Sequence, residues 1–131
     1  MSRPLSDNTF IFSQPIDTDY VVELYGGDYV MIEETFVDVL KDYDSFVQKI
    51  YSSYETGDLS ALKGAVHKIK PLFGFVGLTS IQSQCHLFEN ACQLSTIPDL
   101  ANEYISLKNT LIQAKNIILA EKERLSRYNE L

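Results

Sequence analysis

No stretch of this chain approaches the roughly 18 consecutive apolar residues that a membrane span requires. Nor is the N-terminal Met-Ser-Arg-Pro followed by the apolar core of a secretory signal, so the cytoplasm is the expected compartment. Cationic residues are scarce. Eleven Lys and Arg stand against 18 Asp and Glu, for a formal charge of −7, which argues against nucleic acid as a partner. Any function that needs positive charge must therefore be local. There are only two cysteines, Cys85 and Cys92. Two turns of one amphipathic segment separate them, about 10 Å along a helix axis and too far for a disulfide. They are expected to be buried, reduced thiols. A nucleotide-binding glycine motif and a catalytic triad are also missing, which weighs against a free-standing enzyme. No segment sustains the apolar/polar alternation of a half-buried strand. Four prolines and six glycines are too few for a low-complexity chain, and 45% hydrophobic residues supply a core. One domain accounts for 131 residues.

Helical periodicity is what the sequence has in abundance. Residues 1–16 carry two prolines and the short apolar patch Phe10, Ile11, Phe12 without a helical period, and read as an arm that those aromatics can dock. A short helix is expected over 17–25, ended by Gly26-Gly27. From Asp28 onward Ile32, Phe36, Val37, Leu40, Tyr43, Val47, Ile50, Tyr51 and Tyr54 keep a three/four spacing, the mark of one long helix, with a bend expected near 42–44. Gly57-Asp58 supplies a stop and an N-cap for a third helix, which Gly74 and Gly77 close. Thr79 and Gln82 have the spacing of a capping box for a fourth helix reaching about Leu94. Pro98 suits the first turn of a last helix, whose Leu100, Tyr104, Leu107, Leu111, Ala114, Ile118 and Leu125 form one stripe. Connections this short make antiparallel neighbours. The expected fold is all-α, an antiparallel up-down four-helix bundle over 17–131 with a short N-terminal capping helix. With one apolar stripe per helix buried internally, a monomer is expected.

The third helix holds the most informative residue. At about 100° per residue, Leu59, Leu62, Val66, Ile69, Phe73 and Val76 share one apolar sector, whereas His67 points away from it. Lys63, Gly64, Lys70, Pro71 and Gly74 lie within about 60° of the histidine on the same wheel. Its neighbours are small or cationic, as close approach of an anion would require. A glycine inside a helix costs about 1 kcal/mol against alanine, so two beside one histidine suggest that something must come near.

The run Ala65, His67, Lys68, Ile69, Lys70 through Gly74, Gly77 and Leu78 resembles the histidine-containing phosphotransfer (HPt) family, whose signature reads roughly A-H-x-L-K-G-x-x-x-x-x-G. Leu24-Tyr25-Gly26-Gly27-Asp28 looks like that family's L-x-G-G-D turn, Gly57-Asp58 like its G-D, and Leu87-Phe88-Glu89 like its L-E stretch. The resemblance spans about 17–94; the last helix agrees in pattern only. It implies a carrier in a two-component phosphorelay. His67 would accept a phosphoryl group from a receiver-domain aspartate or a histidine kinase and pass it to another receiver. Lys70 would be the charge partner of the phosphate, and Glu89 would orient the imidazole. Lys63, Gly64, Lys68, Pro71, Gly74 and Gly77 would meet the partner. No cofactor is implied in this chain, since Mg2+ and the transition-state machinery would belong to the receiver. An imidazole, with its ordinary pKa near 6.5, is a suitable nucleophile at neutral pH. The unbroken fit of one domain favours a small protein complete in itself.

Pro71 departs from the family, where glycine follows the lysine. Proline cannot donate to the carbonyl of His67 and its ring crowds that group, so a kink or loosening is expected. Two outcomes stand: a tilted but phosphorylated histidine, or a degenerate site in a helical adaptor that docks receivers without transfer. For Glu89 the alternative is an ordinary solvated charge, and for His67 an idle surface imidazole. A metal site from Cys85, His86, Glu89 and Cys92 is disfavoured, because His86 lies about 100° round the helix from Cys85. The aromatic residues read as bundle core, and the acidic run Glu33, Glu34, Asp38, Asp42, Asp44 as a solvated face.

Overall fold

A computed structural model describes residues 10–130. Five α-helices follow one another: α1 (Thr18–Leu24), α2 (Tyr29–Glu55), α3 (Leu59–Phe75), α4 (Thr79–Leu94) and α5 (Ala101–Glu130), the last entered through a 3₁₀ turn at Pro98–Leu100. Helices α2 to α5 close a ring in which each packs on the next and α5 returns to α2, an up-down four-helix bundle with α1 across one end. Among the described residues there is no strand, and no helix is long and apolar enough to cross a membrane.

The corners are set by a repeated device. At the end of α2, Gly57 takes a positive φ of 74°, Asp58 N donates to Ser53 O, and the Asp58 carboxylate then accepts from Ala61 N at 3.0 Å to start α3. A left-handed glycine and an aspartate cap together reverse the chain in two residues. At the end of α3 the glycine is Gly77, again at φ 74°, with Leu78 N donating to Phe73 O at 2.8 Å. No side chain caps α4: it starts at Thr79 after Leu78, and Thr79 lies inside the first turn, so the expected Thr79/Gln82 capping box is not formed. Gln82 packs on Gly74 instead.

The apolar stripes meet as periodicity requires. Ile32, Phe36, Tyr43, Val47 and Ile50 of α2 face Leu62, Val66, Ile69 and Phe73 of α3, Cys85, Phe88 and Cys92 of α4, and Leu107, Leu111, Ala114, Ile118 and Leu125 of α5. Val39 is buried where the spacing placed Val37 and Leu40, both of which are half-buried. The long α2 is continuous through 42–44. Tyr43 is fully buried, and its hydroxyl donates to Leu111 O at 2.6 Å; burial pushes its phenol well above the usual range. Burial likewise raises the Cys85 thiol to about 12 and the Cys92 thiol to about 11, so neither is a thiolate near neutral pH.

The arm expected over 1–16 is, from residue 10 on, part of the packed core; residues 1–9 lie outside the described residues. Phe10 and Phe12 are buried against Tyr29, Tyr128 and Phe36, whereas Ile11 is exposed. The packing therefore does not stop at the boundary expected between 16 and 17. A buried carboxylate holds this segment down. Glu121, 2% exposed, accepts from Ser13 N at 2.9 Å and pairs with Arg124 at 2.6 Å, and Arg124 also donates to Ile11 O and lies over the Phe10 ring. Removing the guanidinium leaves a buried charge without its counterion. Arg124→Ala is accordingly expected to lower unfolding free energy by about 1–3 kcal/mol, read as a lower urea midpoint.

Candidate functional site

On α3 the apolar stripe Leu62, Val66, Ile69, Phe73 turns inward, which leaves His67 on the outer ridge between two seams. One seam meets α4 and carries Lys70 and Gly74. The other meets α2 and carries Gly64 and Lys68. The side chain of His67 is 68% exposed.

From the α4 side, Glu89 reaches under the ring. Its Oε1 lies 2.7 Å from His67 Nδ1, and its Oε2 lies 2.6 Å from Lys70 Nζ and has no other partner. Glu89 is buried, 5% exposed, so it is not the solvated surface charge that the sequence also allowed. Burial pushes its carboxyl up, but the Lys70 ammonium and then His67 more than reverse this, and the net pKa falls below the ordinary 4.5. An ionised carboxylate can only accept. Nδ1 therefore carries the proton and donates it, and in the neutral ring the lone pair is left on Nε2, at the opposite, solvent-facing edge. The Lys70–Glu89–His67 chain thus fixes a tautomer and a direction.

The other residues expected at the site divide. Lys63 and Lys68 flank the histidine on α3, and a Cβ placed on Gly64 would meet nothing within 4 Å, so that glycine does leave open space. Gly74 and Gly77 do not, and this corrects the expectation that they make room for a partner. Gly74 is buried, with Gln82 Nε2 2.9 Å from where its Cβ would be. Gly77 is buried under Val21 and Ile16 of the α1 segment, and its carbonyl accepts from Asp17 N at 2.9 Å. Their smallness serves the fold. Pro71 is exposed, and α3 runs uninterrupted through it from Leu59 to Phe75 although the His67 carbonyl loses its i+4 donor. Lys70 is engaged by Glu89, not free. On α4, Cys85 and Cys92 face the core and His86 faces solvent; among the described residues no three His, Cys, Asp or Glu side chains gather as a metal site.

An apolar groove of about 490 Å³ along Leu24, Tyr25, Val39, Leu72 and Phe75 contains none of these residues. A smaller, more polar groove of about 320 Å³ lies between α2 and α3, lined by Gly64 and Lys68 but not by His67 itself, and it includes Lys49, which periodicity within α3 could not reveal.

The profile of the Hpt domain family matches residues 31–117, more than half of the chain, and the chain belongs to that family. Its fold is similar to the HPT domain of an Hpt sensor hybrid histidine kinase from Shewanella, with a TM-score of 0.71 at 19% identity over 86% of this chain and 94% of that one. At that identity the likeness speaks to the fold. No curated protein sequence matches the chain closely enough to count as a relative. Membership carries a phosphotransfer-domain role in two-component signalling, and Hpt domains are phosphocarriers.

Proposed function

We propose that His67 is the phosphoacceptor of a phosphorelay: it takes a phosphoryl group from the aspartyl-phosphate of a receiver domain, or from a histidine kinase, and delivers it to the aspartate of another receiver. The observation that carries this reading is the exposed imidazole whose Nδ1 is bound to a buried carboxylate.

In the forward step the Nε2 lone pair attacks phosphorus, an N–P bond forms, and the acyl O–P bond breaks with its electrons returning to the receiver's carboxylate. The Nδ1 proton stays in place. The ring thereby gains positive charge, and Glu89, 2.7 Å away, offsets it. Onward transfer reverses the roles: a second carboxylate attacks phosphorus and neutral imidazole departs, a good leaving group because Nδ1 remains protonated. Lys70 holds Glu89 ionised, and its ammonium, one turn from His67, can also attract a phosphoryl oxygen as a point charge. The metal ion and the catalytic aspartate are the receiver's contribution, so the chain alone is a carrier rather than an enzyme.

Incubation with a phosphorylated receiver is expected to give acid-labile, base-stable phosphate on the chain, and His67→Gln to give none. An adaptor that docks without transfer would bind equally with either residue and carry no label. That result would defeat the proposal.

A further inference from the structure

The stripe that packs α4 into the bundle is not its only one. Cys85, Phe88 and Cys92 face the core. Ser80, Gln84, Leu87, Ala91 and Leu94 repeat separately, at intervals of four, three, four and three, the period of a helix–helix seam. At about 100° per residue, this second row lies on the side of α4 turned outward and toward α5. Leu87 is 67% exposed and Leu94 87%, the most of any large hydrophobic side chain among the described residues. Apolar residues scattered singly over a surface are ordinary; two on one seam beside a groove form a surface. That groove, of about 380 Å³, parts α4 from α5 and is lined by Leu87, Phe88 and Ala91 on one wall and Asn102, Glu103 and Ser106 on the other.

Charge indicates what can cover this face. The chain carries −7, so two copies repel each other over most of their surfaces. Helix α2 alone carries Glu33, Glu34, Asp38, Asp42 and Asp44. Helix α4 is the exception: its only acidic or basic residues are His86 and Glu89, and Glu89 is buried beneath His67. Among the residues that line the groove, Glu103 alone is charged. Around the two leucines stand serine, asparagine and glutamine side chains, which both donate and accept hydrogen bonds. The surface is therefore complementary to itself.

We propose that this face of α4 is the contact of a reversible dimer, covered by a second copy of the chain. A two-fold axis at Leu87 sets the two α4 helices antiparallel, as a self-complementary patch requires. Leu87 then meets its counterpart. Because Ser80 and Leu94 stand seven residues to either side of it, Leu94 of each copy falls over Ser80 of the other, where a small side chain leaves room. The 16 residues of α4 make a strip about 24 Å long. With the groove and the rim of α5 it covers about 600 Å² per copy, which places the total near the lower limit of specific interfaces. Such a dimer forms and parts with concentration. Glu89, which binds the imidazole, lies about 200° round α4 from Leu87, so both His67 side chains stay open in the dimer. The inference does not depend on the reading of His67. It does replace the expected monomer, which assumed one apolar stripe per helix.

Sedimentation equilibrium of the full chain, from low micromolar to near-millimolar concentration, tests it. The weight-average mass of the wild type is expected to rise from that of one chain toward twice that value. Leu87→Glu/Leu94→Glu sets like charges against each other across the seam and should lose about tenfold or more in association constant. Ile105→Glu/Ile112→Glu, exposed on α5 but turned away from α4, should associate as the wild type does. All four side chains are exposed, so both variants should keep the wild-type urea midpoint. On oxidation Leu87→Cys is expected to give a disulfide-linked dimer, and Ile112→Cys none. A wild type that stays monomeric throughout overturns the proposal, as does a dimer that survives Leu87→Glu/Leu94→Glu or is lost equally in the α5 control. No linked dimer from Leu87→Cys overturns it as well. A monomeric wild type whose labelling by a phosphorylated receiver falls in Leu87→Glu/Leu94→Glu would give the face to the receiver instead.

Discussion

Glu89→Ala is expected to slow phosphorylation of His67 by about 10- to 100-fold, by analogy with the loss when the carboxylate that orients a metal-ligating histidine is removed. Three consequences combine. The Nδ1 proton loses its acceptor, so the ring samples both tautomers and both orientations. The positive charge that develops on the ring loses its counterion. Lys70, four-fifths covered, is left beside a void where its carboxylate stood. Glu89→Gln keeps an acceptor for Nδ1–H but not the charge, and should fall between the two. The protein must remain folded for this comparison, which far-ultraviolet circular dichroism checks. Phosphorylation of Glu89→Ala at the wild-type rate and extent would remove Glu89 from the account.

The same residue makes stability depend on pH. The Glu89 pKa is lower folded than unfolded, so its stabilising contribution is fully present above the ordinary carboxyl value of 4.5 and is lost as pH falls through the depressed folded value. Glu89→Gln should therefore flatten the acid limb of a stability profile. Above that limb it should leave the protein less stable than the wild type.

Gly77→Ala is expected to destabilise the fold by about 3–5 kcal/mol, combining a left-handed backbone that L side chains resist with overpacking against α1. A Cβ at this position would collide with Val21 Cγ2 and crowd Ile16 Cγ2 at 3.1 Å, at the corner where α1 is tied by its Asp17 N–H to the Gly77 carbonyl. Nothing there can give way without moving α1. Gly64→Ala, one turn before His67, should by contrast be neutral or stabilising by about 0.5–1 kcal/mol, since it is helical and faces open space. Urea unfolding of the two variants reads the difference directly. A Gly77→Ala protein within about 1 kcal/mol of the wild type would show that the corner is softer than its packing implies.

This contrast also shows where sequence reasoning reaches its limit. Periodicity within α3 places His67 outside the apolar stripe, because direction within one helix depends only on 100° per residue. It says nothing of what stands opposite. Gly74 and Gly77 sit close to the histidine in sequence, yet α4 and α1 cover them, and so their role is in packing. Thr79 and Gln82 have capping-box spacing, but the corner formed by Gly77 and Leu78 starts α4 one residue too early for Thr79 to serve as the cap. Glu89 is legible only through its match to the family's L-E stretch, because a wheel for α4 alone does not show that α3 covers it and that Lys70 pairs with it. The place of Lys49 beside Gly64 and Lys68 is not legible in the sequence, because it is remote from them along the chain and the register between α2 and α3 is written in neither helix alone. Phe10 and Phe12 lacked any period, yet docking against Tyr29, Tyr128 and Phe36 makes them core.

Glu89 commits Nδ1 and so leaves Nε2 to carry the phosphoryl group in the proposed relay. Heteronuclear 31P–15N NMR of the chain labelled by a phosphorylated receiver tests it most directly. The expected spectrum shows one phosphohistidine, His67, with phosphorus coupled to Nε2 and a proton retained on Nδ1. Phosphorus on Nδ1, or on any residue other than His67, would contradict it.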